Sequence, residues 1–162
     1  MSVEAEWAIR DFERRDQEEV RDLVQRGMAE RWGDDFRPDA NPDLDDIWQS
    51  YVQRGGEVVF IERRGTIVAT GTLVEVDAHA DRLLRMAVHP ELRRQGLGRS
   101  VVIELIERSR RRGHMRLLVT TDPPWLEAIA LYRSCGFELV GETVDAVHFS
   151  MDLSFAGQRL DR

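Results

Sequence analysis

The sequence predicts a mixed α/β fold: a central, mixed but mostly antiparallel sheet of about seven strands, with helices on both faces. Short β-branched runs alternate with amphipathic segments, and glycine and proline punctuate the boundaries. One strand–helix–strand unit near the middle of the chain predicts a parallel pair with a right-handed crossover. The chain has 162 residues, 42% of them hydrophobic, which suits one globular domain. We expect residues 1–162 to form that domain, with its core at about 8–153.

The elements can be justified in order along the chain. Trp7–Phe12 is predicted to be the first strand, and Asp16 with Glu19 has the spacing of a capping pair for the first helix. A second helix is expected over about Leu44–Gln53. The later elements are recognised by period-2 or period-3.6 apolar patterns between turn residues. Strands are predicted at Glu57–Glu62, Thr66–Val76, Arg82–Val88, Arg116–Thr121, Phe137–Val140 and Ala146–Leu153, and helices at Gly96–Arg112 and Leu126–Ser134.

Composition and charge exclude several classes of protein. A net charge of −7 disfavours general binding to nucleic acid, and no apolar run approaches the roughly 20 residues of a membrane span. The segment Met1–Arg15 has no apolar stretch of the kind found in signal peptides. Cys135 is the only cysteine, so no internal disulfide can form. We expect a cytoplasmic protein without a nucleic-acid or membrane partner and without a metal site; homodimerisation stays open.

One loop has the pattern of an anion site. Two glycines, Gly96 and Gly98, stand where a strand ends and an amphipathic helix begins, and Arg93, Arg94 and Arg99 add positive charge. Unpaired N–H groups and the dipole at a helix N-terminus attract anions, and glycine lets a ligand approach the backbone closely. The pattern lacks the Gly-Lys-Ser/Thr ending of a Walker A loop. The residues alone therefore leave two readings, a pyrophosphate site or a surface loop with a well-formed helix start.

The same loop resembles a family signature. Arg93-Arg94-Gln95-Gly96-Leu97-Gly98 is similar to the Arg/Gln-x-x-Gly-x-Gly/Ala motif of the GCN5-related N-acetyltransferase (GNAT) superfamily. Leu84–Pro90 resembles that family's central strand. Ala130–Glu138 resembles its second hallmark, a tyrosine-bearing helix that ends in Gly-Phe. The resemblance runs from about Ala8 to Leu153.

This resemblance implies a GNAT fold and acetyl-CoA as the cofactor. The sheet would splay where Met86–Val88 departs from Leu117–Thr121, and the pantetheine arm would fill the gap. Trp125 stands where many relatives have asparagine, and packing on the cofactor would replace the missing hydrogen bond. The cofactor-binding residues implied are Met86, Ala87, Val88, Arg93, Arg94, Gln95, Gly96, Leu97, Gly98, Arg99, Ser100, Trp125 and Tyr132.

The activity implied is N-acetyl transfer to a primary amine, by direct attack through a tetrahedral intermediate. The backbone N–H of Val88 would stabilise the thioester oxygen, and Tyr132 would protonate the departing thiolate. Glu75 is the candidate general base, with Asp77, His79 and His89 as alternatives. A non-catalytic CoA-binding or regulatory module on the same fold is the second hypothesis.

The acceptor would be a small-molecule or peptide amine. The family resemblance places its site around the first two helices, the loop that joins them and the closing strands. Carboxylates and aromatic faces there could hold a cation, but a solvated acidic loop accounts equally well for the pattern. The residues concerned are Asp34, Asp35, Asp39, Asp43, Asp45 and Asp46, with Trp32, Phe36 and Trp48.

Overall fold

The structure is a computed structural model that describes residues 6–154, so the expectations for the first five residues and for the tail after Ser154 lie outside the described residues. Its strands and longer helices alternate much as the sequence patterns predict. In chain order they are β1 (Trp7–Asp11), α1 (Gln17–Trp32), β2 (Glu57–Arg63), β3 (Thr66–Asp77), β4 (Ala80–Val88), α2 (Leu97–Arg111), β5 (Arg116–Thr121), α3 (Leu126–Ser134), β6 (Glu138–Glu142) and β7 (Val147–Asp152).

The strands form one seven-stranded sheet in the order β1-β2-β3-β4-β5-β7-β6. Strands β4 and β5 run parallel, whereas β1–β2, β5–β7 and β6–β7 are antiparallel. The turns at Arg64-Gly65 and Ala78-His79 are too short for a crossover, so β2, β3 and β4 also form antiparallel hairpins. The predicted mixed, mostly antiparallel sheet is confirmed.

Two compact units can be described separately. The first contains the described residues up to Thr72 together with Arg85–Val101. Its core includes Phe60 and Ile61 on β2, both fully buried, and the inner face of α1. Helix α1 passes close to the end of β4, because a Cβ atom at Gly27 would lie 3.8 Å from the Ala87 side chain.

The second unit contains Leu73–Leu84 and the chain from Val102 onward. Its core is built on the apolar face of α2 and on β5 and β7, where Leu105, Leu117 and Phe149 are at most 1% exposed. The only cysteine of the chain, Cys135, lies at the end of α3 and is completely buried.

A charged cluster lies inside the second unit, around the start of β4. Asp81 is 0% exposed, and its Oδ2 accepts a hydrogen bond of 2.6 Å from the Ser109 hydroxyl. The imidazole Nδ1 of His114 lies 3.2 Å from the same oxygen, and Arg112 Nη2 lies 3.4 Å from Oδ1. A buried carboxylate requires such partners, because burial removes its water.

The predicted second helix over about Leu44–Gln53 forms only in the second half of that range. A 3₁₀ turn ends at Leu44, and one turn of π-helix spans Trp48–Val52, where Gln53 N donates to Trp48 O at 2.8 Å. The cause lies on α1. Gln17 accepts a hydrogen bond from Ile47 N at 2.9 Å and donates one to Leu44 O at 2.8 Å, so these backbone groups do not pair within a continuous helix.

The predicted capping pair is wrong. The Asp16 side chain accepts from Glu13 N at 2.8 Å, within a short turn before α1, and makes no capping bond to α1 itself. Glu19 Oε1 instead accepts from Ile67 N at 2.8 Å and so holds α1 against β3. Asp16 therefore acts in the turn before the helix, and only Glu19 is recruited by a distant partner.

Candidate active site

Strand β4 bends within the first unit. Arg85 has φ +53°, a left-handed backbone conformation that is unusual for a residue other than glycine. The pairing of β4 with β5 runs from Ala80 to Leu83, opposite Arg116 to Val119, while β4 itself continues to Val88. A left-handed residue costs roughly 1–2 kcal/mol, so other contacts must hold it in place.

The contacts that hold Arg85 come from the chain between α1 and β2. Arg85 Nε donates to Asp43 Oδ2 at 2.9 Å, and Nη2 donates to Asp43 Oδ1 at 2.7 Å, forming a two-pronged ion pair. Nη2 also donates to Asn41 Oδ1 at 3.1 Å, and the Tyr51 hydroxyl donates to Asp43 Oδ2. Nη1 donates to Met28 Sδ at 3.5 Å. We call Arg85, Asp43, Tyr51 and Asn41 the Arg85 cluster.

The Arg85 cluster perturbs its own titrating groups. Burial, reinforced by the hydrogen bond to Asp43, raises the pKa of Tyr51 to about 12. Burial opposes the charge on Arg85, but the hydrogen bonds to Asp43 and Tyr51 outweigh it and raise the pKa of the guanidinium. The cluster is therefore an ion pair with a neutral phenol across the neutral pH range.

The segment after Arg85 was predicted to lie beside the thioester. Met86 and Val88 are half-buried, and Ala87 is buried against α1. Just after the strand, His89 N donates to Val68 O at 2.8 Å, which keeps this end of the chain on β3. The final residues of β4 are thus anchored on their β3 and α1 sides.

The loop between β4 and α2 turns twice through left-handed conformations. Arg94 has φ +62° and Gly96 has φ +82°, and both are exposed. Nothing lies within 4 Å of the position that a Cβ atom would take at Gly96. The loop backbone is therefore open to a ligand.

Helix α2 begins directly after this turn. Ser100 N donates its first helical bond to Gly96 O at 3.0 Å, and the Ser100 hydroxyl donates to the same oxygen at 3.0 Å. The amides of Leu97 and Gly98 precede these bonds, so the helix itself offers them no acceptor. This geometry fits the phosphate groups of a coenzyme A, and the same amides would hold them.

Arg93 was expected to add positive charge to the loop, but its guanidinium is paired with a carboxylate. Its guanidinium donates to both carboxylate oxygens of Glu30 on α1, at 2.5 and 2.6 Å. These hydrogen bonds hold the pKa of Glu30 below its usual value. The pair is neutral overall, so Arg93 offers the loop its backbone rather than an unopposed charge.

Tyr132 lies in the second unit, on α3. Its side chain is 5% exposed, and its ring stands edge-on to Phe137, with centroids 5.7 Å apart. The Phe149 ring lies 6.1 Å away on β7. Trp125 directly precedes α3 and is half-buried. The aromatic packing fixes the ring plane of Tyr132.

The candidate bases have different surroundings. Glu75 is exposed on β3, and its Oε1 lies 3.8 Å from His114 Nε2. Asp77 accepts a hydrogen bond from His79 N at 2.7 Å, and this bond holds the pKa of Asp77 below its usual value, which weakens it as a base. His89 Nδ1 accepts from Glu91 N at 3.2 Å. These contacts favour Glu75 over Asp77.

The acidic loop is only partly available for a cationic acceptor. Asp43 is neutralised by Arg85, and Asp46 Oδ1 accepts from Gln49 N at 2.9 Å as a local cap. Asp34, Asp35, Asp39 and Asp45 are exposed.

Sequence reasoning missed Arg85 and Tyr51. Arg85 lies in a run of strand residues, and its main partner, Asp43, is 42 positions earlier in the chain. Nothing local in the sequence signals a left-handed arginine. A charged residue in the middle of a buried strand was the one available sign, since such a residue needs a partner.

Comparison with known proteins assigns the family. The Acetyltransferase (GNAT) family model matches residues 17–137. The chain belongs to this family, and the predicted GNAT resemblance is confirmed.

Its relatives include named acetyltransferases. The chain is 31% identical over 102 residues to the uncharacterized N-acetyltransferase YjgM of Escherichia coli (strain K12), covering 61% of each protein. It is 31% identical over 119 residues to N-acetyltransferase 8 of Rattus norvegicus, covering 69% of this chain but 54% of that protein. The chain thus spans about half to three-fifths of the length of these relatives.

Solved structures share the fold at low identity. A GNAT-family acetyltransferase from Staphylococcus aureus Mu50 superposes with a TM-score of 0.83 at 19% identity, covering 91% of this chain and 99% of that one. The yncA protein of Salmonella typhimurium, solved with its cofactor acetyl-CoA, gives a TM-score of 0.75 at 18% identity, with 93% and 96% coverage. Within residues 6–154, no helix is long and apolar enough to cross a membrane, and no cluster of side chains suits a metal ion.

Proposed function

We propose that this chain transfers the acetyl group of acetyl-CoA to a primary amine. The observation that carries the proposal is the turn at Arg94–Gly96 into the first turn of α2, which leaves amides open where a diphosphate can bind. Membership of the GNAT family and the acetyl-CoA complex of the Salmonella protein support it. The proposed contacts with the cofactor are Met86–Val88, Arg93–Ser100, Trp125 and Tyr132.

The loop residues divide their work in this proposal. The amides from Gln95 to Gly98 hold the phosphates, and Gly96 keeps side-chain atoms away from them. Arg93 contributes through its backbone, because Glu30 occupies its guanidinium.

The chemistry can be assigned to three groups of the chain. Bound acetyl-CoA would supply the acetyl thioester. The N–H of Val88 would donate to the thioester oxygen, where negative charge grows, and one such donor is typically worth about 3–4 kcal/mol. Tyr132 would give its phenolic proton to the departing sulfur, and Glu75, directly or through water, would take the proton that the amine must lose.

The acceptor is proposed to be a small-molecule or peptide amine. Exposed aspartates of the loop after α1 would attract its ammonium group, while Asp43 is excluded from that role by Arg85. The chain has no lysine, so any acetyl-lysine formed in an assay comes from the substrate. A panel of free amino acids, polyamines and peptides with either a free N-terminus or a lysine covers these classes.

We also propose that residues 1–162 act as one acetyltransferase domain in the cytoplasm. The single, buried cysteine suits a reducing compartment. Sedimentation of the purified chain would decide whether it forms a homodimer.

The first test compares two glycines. Gly96 (φ +82°) and Gly55 (φ +88°) both have open space at the Cβ position, so alanine costs each the same left-handed strain, about 1–2 kcal/mol. Calorimetric titration with CoA should show a Kd raised by at least about tenfold, equal to about 1.4 kcal/mol, for Gly96→Ala. Gly55→Ala should bind CoA as the parent does.

If both variants bind CoA with the same Kd, the phosphate site does not lie in this loop. CoA binding without turnover across the amine panel would favour the alternative, a non-catalytic or regulatory CoA-binding module.

The second test concerns the proposed acid and base. Tyr132→Phe and Glu75→Gln should each lower kcat by about 10²–10⁴-fold with little change in the KM for acetyl-CoA. The kcat–pH profile should lose its alkaline limb in the first variant and its acidic limb in the second. Asp77→Asn serves as the control and should keep both limbs.

Unchanged kcat in either variant removes that residue from the mechanism. Loss of the acidic limb in Asp77→Asn would transfer the role of base to Asp77.

A further inference from the structure

We call residues 33–56, between α1 and β2, the acceptor-side loop, because the proposed function places the amine there. The Arg85 cluster connects this loop to the end of β4. Asp43 and Asn41 belong to the chain between α1 and β2, and Tyr51 lies in the π-helical turn of the same connection. All three converge on one guanidinium, whose own backbone is left-handed. Val88, three residues further on, carries the amide proposed to bind the thioester oxygen.

We propose that Arg85 is a positioning residue for acetyl transfer. Through its ion pair with Asp43, which we call the clamp, it fixes the acceptor-side loop relative to the bent end of β4. This inference rests on the proposed function, since it gives the bend a catalytic purpose. Arg85 does not itself contact the reacting atoms in this assignment. It acts through the backbone from Met86 to Val88.

The geometry explains why arginine is suited to this position. A two-pronged pair fixes direction as well as distance, because Nε and Nη2 must both meet their carboxylate oxygens. The second acceptor, Asn41, and the Tyr51 hydroxyl fill the remaining positions around Asp43 and Nη2. Lysine would keep the charge but lose the fork.

The left-handed backbone at residue 85 does not by itself fix the acceptor-side loop relative to β4. Glycine would adopt φ +53° more easily than arginine and with a broader range of angles. An Arg85→Gly variant therefore keeps the bend accessible while it removes the clamp. This makes the substitution a test of the side chain rather than of the bend.

Arg64 offers a matched control within the same unit. It is also a left-handed arginine, with φ +51°, and its Nη2 donates to the Glu6 carboxylate at 2.5 Å. It lies in the turn between β2 and β3, outside the proposed site. Arg64→Gly thus removes the same backbone strain together with an exposed, single-pronged ion pair.

The kinetic experiment uses the full chain and the best amine from the panel. Arg85→Gly should lower kcat about 10–100-fold, the size expected when reacting groups are misplaced by about an ångström, with the KM for acetyl-CoA within about threefold. Arg85→Lys should not restore kcat, whereas millimolar guanidinium chloride should partly rescue Arg85→Gly. Asp43→Asn combined with Arg85→Gly should be no slower than Arg85→Gly alone, because both remove one interaction.

Hydrogen exchange supplies a readout that needs no acceptor. In Arg85→Gly, the amides of residues 41–51 and 85–89 should exchange faster together, while those of residues 57–63 keep their parent rates. Arg64→Gly should leave both the exchange of residues 41–51 and kcat within about twofold of the parent.

The outcomes separate this inference from the proposed function. Unchanged exchange in residues 41–51, a kcat within about twofold of the parent, or multiplicative losses in the double variant would each overturn the clamp. Coupled exchange in a chain that fails to bind CoA would instead overturn the proposed function and leave the cluster without a catalytic role.

Discussion

Two of the three charged side chains on strand β4, Asp81 and Arg85, have different surroundings. Asp81, in the second unit, is fully buried, and its partners Ser109, Arg112 and His114 all come from one short stretch of chain. Arg85, in the first unit, keeps 24% of its side chain exposed, and its partner Asp43 keeps 25%. The first arrangement protects a buried charge, whereas the second leaves an ion pair within reach of solvent. We therefore expect the buried cluster to contribute most to stability, and the partly exposed pair to contribute through positioning.

The largest effect is expected at the buried cluster. Asp81→Ala leaves the Arg112 guanidinium and the His114 imidazole without the carboxylate they face, and removing one partner of a buried pair costs about 3–5 kcal/mol. Urea unfolding should show this loss as a lower midpoint at an unchanged slope. Ser109→Ala, which deletes a single hydrogen bond to the same carboxylate, should cost about 1.5–3 kcal/mol.

Asp43→Ala provides the opposite side of the comparison. Because its pair with Arg85 is partly exposed, its loss should lower the free energy of unfolding by only about 1 kcal/mol. The comparison fails if Asp43→Ala destabilises the chain as strongly as Asp81→Ala does.

The smallest effect is a titration confined to alkaline pH. The pKa of Tyr51 is raised to about 12, above the value of 10.0 for an ordinary phenol, so the fold favours its neutral form. Its contribution to stability is complete below pH 10 and is lost as the pH rises toward 12. The chain has two tyrosines, so in Tyr132→Phe the ultraviolet absorbance of phenolate reports on Tyr51 alone.

The native chain should then be half-ionised near pH 12, and the urea-unfolded chain near pH 10. Tryptophan fluorescence, recorded on the same samples, shows where the fold is intact. Half-ionisation near pH 10 in folded protein would contradict the burial of this phenol.

The sequence predicted elements better than it predicted connections. Arg116–Thr121 and Leu126–Ser134 have the observed bounds, because turn residues and apolar periodicity mark both ends. The glycine turn before α2 was also located correctly, since its chemistry is local. The stretch from Leu44 to Gln53 was predicted correctly only in part, because Gln17, far away in the chain, competes for its backbone groups.

The same distinction applies to the candidate site. The motif from Arg93 to Gly98 could be predicted because its residues are consecutive. The pairing of Arg93 with Glu30 could not be predicted, because it joins positions that are 63 residues apart. The left-handed state of Arg85 depends on Asp43 in the same way. Ion pairs between distant segments are decided by tertiary packing, which local patterns do not encode.

The burial of Cys135 makes its labelling rate a measure of how often the native second unit opens. Its sulfur is shielded in the folded second unit, and no other thiol exists in the chain. A maleimide probe would therefore label the protein only as fast as that region opens. The fraction of labelled protein, followed by mass spectrometry over time, gives the rate. The Asp81→Ala and Ser109→Ala variants, which lie in the same unit, can be ranked by this labelling rate without any substrate.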